Sequence, residues 1–326
     1  MQTLTDDVGI IQHARESVPD RSTGYCTDDV ARAFIVMNAR LQLDEGDGEA
    51  LRLAGIYLAF LMDAQLADGR FHNFMSYARA WLDEVGTHDS CGRAIWSLGH
   101  AVRFAPRASW RRVCTGMLER SLSTIEWLEY SRAQAYAILG LAHAAAAGVA
   151  FAGDPLRVLA RSLLQRYQRS SGPDWAWFEP AMTYDNARLP EALLRAGIAL
   201  GDGELVQTGL AALDFLERVT FEDGVFVPIG NDGWYARGAE RARFAQQPLE
   251  AAAMVDAEHA AFDAFKKKEH RDAAARAAAW FEGNNLLGAV MAHAGGCYDG
   301  LEREGPNLNM GAESSLAYLA VAHAQE

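Results

Sequence analysis

Residues 131–146, "SRAQAYAILGLAHAAA", decide how this chain has to be built. Arg132 carries the one fixed charge, and small or apolar residues with high helix preference occupy every side. A helix of that kind is buried all round. It is too short to span a bilayer, so other parts of the protein must cover it. The next patterned stretch, "DPLRVLARSLLQRYQ" at 154–168, is different. Its leucines recur at helical spacing, and arginines and glutamines fill the other face. Together the two read as a hairpin with a buried inner member and a half-wet outer one.

The hairpin repeats. Five more polar starts lead into helices rich in Ala, Gly and Leu. They are "TDDVARAFIVMNA" at Thr27, "HDSCGRAIWSLGHAV" at His88, "YDNARLPEALLRAGIAL" at Tyr184, "QQPLEAAAMVDAEHAAF" at Gln246 and "GAESSLAYLAVAHA" at Gly311. The six starts stand roughly 40–65 residues apart, in the range of a structural repeat. Amphipathic partners such as "GEALRLAGIYLAFLMDAQ" (48–65) and "GELVQTGLAALDFLERV" (203–219) lie between them. The pattern predicts an all-α (α/α)6 barrel, a six-hairpin toroid, as one domain over residues 1–326. A superhelical solenoid is the competing arrangement.

Composition narrows the function. Half of the 326 residues are hydrophobic, enough for a large core. The net charge of −13 argues against a nucleic-acid or anionic-membrane partner. No apolar run reaches transmembrane length, and the first residues lack the basic and apolar regions of a signal peptide. Cys26, Cys91, Cys114 and Cys297 show no C-x-x-C spacing, which fits a reduced, cytoplasmic protein. No glycine-rich phosphate loop is present, so no cofactor is expected.

The connections from outer back to inner helices are long and carry aromatics, amides and acids, as in "SSGPDWAWFEPAMTYDN" (170–186) and "FEDGVFVPIGNDGWYARGAERARFAQQ" (221–247). All six polar starts open at that same end of the barrel. Loops over a rigid scaffold are where binding and catalysis sit. His100, His143, His259 and His323 fall about three turns into inner helices, at the plain end, and read as structural.

Acids at the loop-rich end supply the catalytic candidates: Asp29, Asp28, Asp89, Asp185, Glu313 and Glu179, with Glu191, Glu250 and Asp299 nearby. Any one of them could simply cap a helix or complement its dipole. Of the adjacent pair, Asp28 is expected to cap the first inner helix and Asp29 to face the pocket. Arg32, Arg93 and Arg188 stand three or four residues past an inner-helix Asp and are expected to pair with it. Acids with aromatic walls suit a carbohydrate, because an indole offers a flat apolar face with a polar edge. Binding candidates are Gln12, His13, Tyr25, His72, Asn73, His88, Trp177, Asn186, Arg188, Asn231, Trp234, Tyr235, Gln247, Asp299 and Asn309, with Trp81, Trp175 and Tyr298 also at this end. Glycoside hydrolysis needs one carboxylic acid on the leaving oxygen and a second carboxylate as base or nucleophile. Acids on different inner helices favour the wider, inverting separation.

The segments "TDDVGIIQHARESVPDRSTGYCTDDVARA", "HDSCGRAIWSLG", "WAWFEPAMTYDNARLPEALL", "GNDGWYARG" and "NLNMGAESSLAYL" resemble a bacterial family of six-hairpin, glycosidase-like domains. The resemblance spans nearly the whole chain. Such domains occur alone or beside glycosyltransferase modules, which makes a glycosyltransferase an expected partner. The architecture is also similar to that of (α/α)6 glycoside hydrolases, polysaccharide lyases and N-acylglucosamine 2-epimerase-like isomerases. Three other readings stand beside hydrolysis. One is epimerisation through His13, His72 or His88. The next is a metal or thiol site at Cys26, Cys91, Cys297 and His88, although no metal-ligand spacing is present and no metal site is expected. The last is a glycan-binding module without turnover.

Overall fold

In a computed structural model of the protein, residues 1–293 and 296–325 are described. The helices come in antiparallel pairs: α1 (Thr27–Leu43) and α2 (Gly48–Ala64), α3 (His88–Phe104) and α4 (Ala108–Ser121), α5 (Ser131–Ala146) and α6 (Gly153–Ser170). Next come α7 (Arg188–Leu200) and α8 (Gly203–Thr220), α9 (Pro248–Phe265) and α10 (Lys268–Ala278), and then α11 (Ala312–Gln325). Each odd-numbered helix packs on the next, and α11 packs on both α9 and α1. The inner ring therefore closes, giving the toroid and not the solenoid. Five hairpins are complete. The sixth inner helix, α11, has no outer helix beside it among the described residues. Met1–Leu4 instead share a groove there with Leu319 and His323.

The all-round apolar helices are the inner ones, as their composition requires. Nearly every residue of α5 from Ser131 to Ala142 is buried, whereas α6 buries only one leucine-rich stripe. Two helices start later than their polar clusters suggest. The fourth begins at Arg188 and not at Tyr184, because Asp185 takes a left-handed backbone (φ 49°) that no helix can contain. The fifth begins at Pro248, where proline's missing N–H costs nothing.

Helices α3 and α5 approach closely enough for their backbones to touch. A Cβ on Gly99 would fall inside the carbonyl of Gly140, and one on Gly140 would strike that of Ile95. Neither obstacle is a movable side chain. Gly99→Ala is therefore expected to cost about 3 kcal/mol, from helix separation and lost packing. Gly116→Ala in α4, with nothing within 4 Å of the new methyl, should be neutral or stabilise by up to about 1 kcal/mol. Urea unfolding midpoints of the two variants check this.

Short antiparallel ladders fasten the long loops over the barrel mouth. Tyr25–Cys26 pairs with Phe74–Met75, joining the N-terminal segment to the loop after α2. Ala181–Met182 pairs with Tyr235–Ala236, joining the loops after α6 and α8.

Candidate active site

The first turns of α1, α3, α9 and α11 and the loops above them enclose a cleft with two connected lobes. The larger holds about 410 Å³ and is lined by Gln12, His13, Asp28, Asp29, Asn73, Asn231, Gln247, Asp299 and Glu313, among others. The smaller, about 280 Å³, is lined by Asp28, Arg32, Asp89, Arg93, Tyr184, Asn231, Trp234, Gln247, Leu249 and Glu313. Asp28, Arg32, Asn231, Gln247 and Glu313 border both, so they stand where the lobes meet. A groove of similar size outside α11 has no such convergence of acids and amides on an aromatic.

Arginines organise the floor. Arg32 donates to Asp29 Oδ1 at 2.9 Å and ion-pairs with Glu313 at 2.5 Å. Arg93 is buried. Its Nε lies 3.0 Å from Asp28 Oδ1, out of line for a hydrogen bond. Its Nη2 donates to Asp185 Oδ2 at 2.9 Å and to the Tyr136 hydroxyl, which in turn donates to Asp185. The guanidinium also covers the Tyr136 ring at 3.9 Å, and Arg188 covers Trp96 at 4.7 Å. The barrel axis is thus plugged with cations held between aromatic rings and acids. Of the expected local pairs, Asp29–Arg32 and Asp185–Arg188 form. Arg93 does not pair with Asp89 and instead reaches helices on both sides of its own.

Neither Asp28 nor Asp29 caps α1. Its N-cap is Cys26, with no side-chain hydrogen bond, and Thr27 donates to the His72 carbonyl. Asp28 is held by Arg93, which corrects the expectation that it caps. At α3 the cap is Thr87, whose hydroxyl accepts from Ser90 N at 3.1 Å. That leaves Asp89 free to face the cleft, where it accepts a hydrogen bond from the Tyr184 hydroxyl.

Environment separates the carboxyls. Burial pushes Asp29 up to about 7, against the pull of Arg32 and with the push of Glu313 and Asp28. It raises Asp89 too, with Tyr184 and Arg93 working against it. Burial alone would raise Asp185, but Arg93 and Arg188 outweigh it and hold that carboxyl below its usual range. Behind the wall, burial and the charge of Asp185 lift Glu250 to about 8. A raised folded-state value means a contribution that is complete below the unfolded value of about 4.3. It is lost as pH rises through about 8. Glu250→Gln keeps the acceptor for the Asn186 amide and removes the charge. Its unfolding midpoint should therefore fall less than wild type between pH 6 and 9 in a denaturant series.

Several candidates lie elsewhere. Trp177 and Tyr25 are core residues with 0% and 1% exposure, and Tyr25 donates to Asp6. His72 stacks on Trp81 and contacts Asp83, and His88 stacks on Trp127. Glu179 pairs with Arg132 at 2.7 Å. Asn186 is fully buried, bonded to Arg132 and Glu250. Tyr235 packs edge-on against Trp175, and Asn309 accepts from Glu16 N. Arg188 and Asp185 line a narrow apolar recess beneath the lobes, with Trp96. Trp234 stays open, at 45% exposure in the smaller lobe, and Phe74 at 39% lines the larger one. Trp234 has a left-handed backbone (φ 58°), as does Ala245 at the same cleft (φ 56°). Such strain in non-glycine residues clusters at functional sites.

All four cysteines are buried and unpaired, and burial raises each one, Cys91 and Cys114 to about 12. They stay protonated at neutral pH. His100 and His143 pack edge to face at the plain end, and burial lowers both, His100 to about 4. Sequence reading passed over Tyr184, Tyr136, Glu302 and Asn307. Tyr184 and Tyr136 act through contacts with residues 95 and 49 positions away, Asp89 and Asp185, which no local pattern reveals.

No protein-family model matches the sequence, and no curated protein matches it. Solved structures do. A sugar epimerase from a ruminal bacterium superposes with a TM-score of 0.75 at 13% identity, over 98% of this chain and 94% of that one. A D-mannose isomerase gives 0.73 at 13% identity, over 99% and 94%. A GH76 α-mannanase from Bacteroides thetaiotaomicron gives 0.70 at 10% identity, over 99% and 91%. At these identities the likeness is one of fold. The chain is built on the six-hairpin (α/α)6 fold that sugar epimerases and glycoside hydrolases share.

Proposed function

We propose that the protein is a glycoside hydrolase acting on a short or soluble glycan, with Asp89 as general acid and Glu313 as general base. The observation that carries this reading is the smaller lobe. There a carboxyl pushed toward its neutral form by burial, Asp89, shares the wall with Glu313, whose side chain is 36% exposed and paired to Arg32. A proton donor and a carboxyl group open to water are the two groups the reaction needs. The open face of Trp234 offers a platform for a sugar ring. Asp89 and Glu313 stand on α3 and α11, the two neighbours of α1 in the ring. Separation by a whole helix favours the wider gap that admits a water, hence inversion. Asp28, Asn231 and Gln247, at the junction of the lobes, would bind hydroxyls on either side of the scissile bond.

A panel of oligosaccharides followed by proton NMR tests this. New reducing ends whose first-formed anomer is opposite to the substrate's are expected. The GH76 relative in fold is an α-mannanase, so manno-oligosaccharides come first in the panel. Unchanged chain length with altered stereochemistry would instead establish epimerisation. His13 in the larger lobe is the observation on that side, while His72 and His88 are stacked away on tryptophans. Binding without turnover across the panel would favour a glycan-binding module serving a glycosyltransferase. No described helix is long and apolar enough to cross a membrane. Unpaired buried thiols fit a reducing, cytoplasmic compartment.

A further inference from the structure

Between the inner helix α9 and the outer helices α8 and α10, Glu217, Glu258 and His270 come together. One ligand atom from each lies within 4.8 Å of the others. His270 Nδ1 is 2.8 Å from Glu258 Oε2. Glu258 and His270 are 0% and 3% exposed, and His270 Nε2 has no hydrogen-bond partner, while Glu258 shares a hydrogen bond with Glu217. Buried polar atoms are almost always satisfied, so an orphaned imidazole nitrogen in a cluster with two carboxyl groups asks for a ligand. Glu258 lies two turns beyond Glu250, about 12 Å along the helix from the cleft end, so the cluster is separate from the candidate active site.

We propose that Glu217, Glu258 and His270 bind one divalent transition-metal ion of the zinc class. Two carboxylates and an imidazole are a mixed O/N donor set. Zinc accepts such a set in tetrahedral geometry, whereas calcium and magnesium prefer oxygen alone. Glu217 is only half-buried, so the site is reachable from solvent, and water can complete the coordination. Asp214, one turn earlier on α8, adds negative charge, and Arg276 is the cation facing Glu258. Without a metal, burial and the charge and hydrogen bond of Glu258 push Glu217 up to about 8, while burial and the charge of Asp214 hold Glu258 at about 7 against the pull of its hydrogen bond with Glu217, so the pair retains a proton. Metal binding would displace it, coupling affinity to pH. The ion would tie three helices of two neighbouring hairpins together.

The test uses the full chain, stripped with a chelator and then titrated with zinc chloride. The readouts are metal content by mass spectrometry after dialysis and the thermal midpoint. Wild type should retain one zinc per chain and melt at a higher temperature with zinc present. Glu217→Gln, at a half-exposed position that should not disturb folding, should weaken binding by roughly tenfold or more. His270→Gln should remove it. A wild-type chain that retains no stoichiometric zinc and shows no zinc-dependent melting shift overturns the proposal. So does a Glu217→Gln variant that binds as tightly as wild type.

Discussion

Asp89→Asn lowers kcat by about 10²–10⁴-fold on whichever oligosaccharide of the panel is cleaved, with KM little changed. Asparagine keeps the acceptor for the Tyr184 hydroxyl and loses the proton. The loss should depend on the leaving group. An aryl glycoside whose leaving group needs no protonation should retain most of its rate. Glu313→Gln should lose a similar factor on both substrates and recover activity when azide replaces the activated water. The pH profile carries a sign. An acid works only while protonated, so the wild-type rate falls as pH rises through the value of Asp89, which burial places above the usual carboxylate range. Asp89→Asn should erase that alkaline limb. Equal losses on both substrates with an unchanged profile would remove Asp89 from the reaction and return the role to Asp29, which burial holds at about 7.

The fold was legible because its signal is periodic and local. A buried inner helix such as 131–146 must be apolar on every side, and an outer one such as 154–168 on one side only. That contrast survives in any sequence with this architecture. The candidate site was legible only as a population of acids and amides at one end. Asp28, Asp89 and Glu313 do line one lobe. Which of them cap, which pair and which remain free depends on neighbours in space. Asp28 looked like a cap because it opens a helix, yet Arg93, 65 positions away, holds it. Trp177 looked like a sugar platform because indoles stack on sugars, yet it is core, while Trp234, in a strained turn, stays open. Burial is a tertiary property, and a tryptophan carries no mark of which side it will face.

Arg93→Met should cost about 3–5 kcal/mol of stability at neutral pH, the range for breaking a buried ion pair by removing one partner. The arginine links α3 to Asp28 on α1, to Tyr136 on α5 and to Asp185 just before α7. Methionine fills similar space but leaves Asp185, at 2% exposure, with Tyr136 and a 3.4 Å contact to Arg188. Lysine should not rescue, because one ammonium cannot serve three partners in the plane of a guanidinium. The dependence on pH identifies the cause. In wild type the arginines hold Asp185 below its usual range, so its contribution is present above the unfolded value of about 3.9 and lost as pH falls through the lower folded value. Without Arg93, burial raises the same carboxyl, and its charge becomes a cost at neutral pH. The gap between wild type and Arg93→Met should therefore be widest near pH 7 and shrink as pH drops below about 4. Adding Asp185→Asn to the variant should recover part of the loss at pH 7, since it removes the charge left without its partner. A deficit that is the same at pH 7 and pH 4, and that Asp185→Asn does not reduce, would mean the arginine matters for packing against Tyr136 and not for its charge.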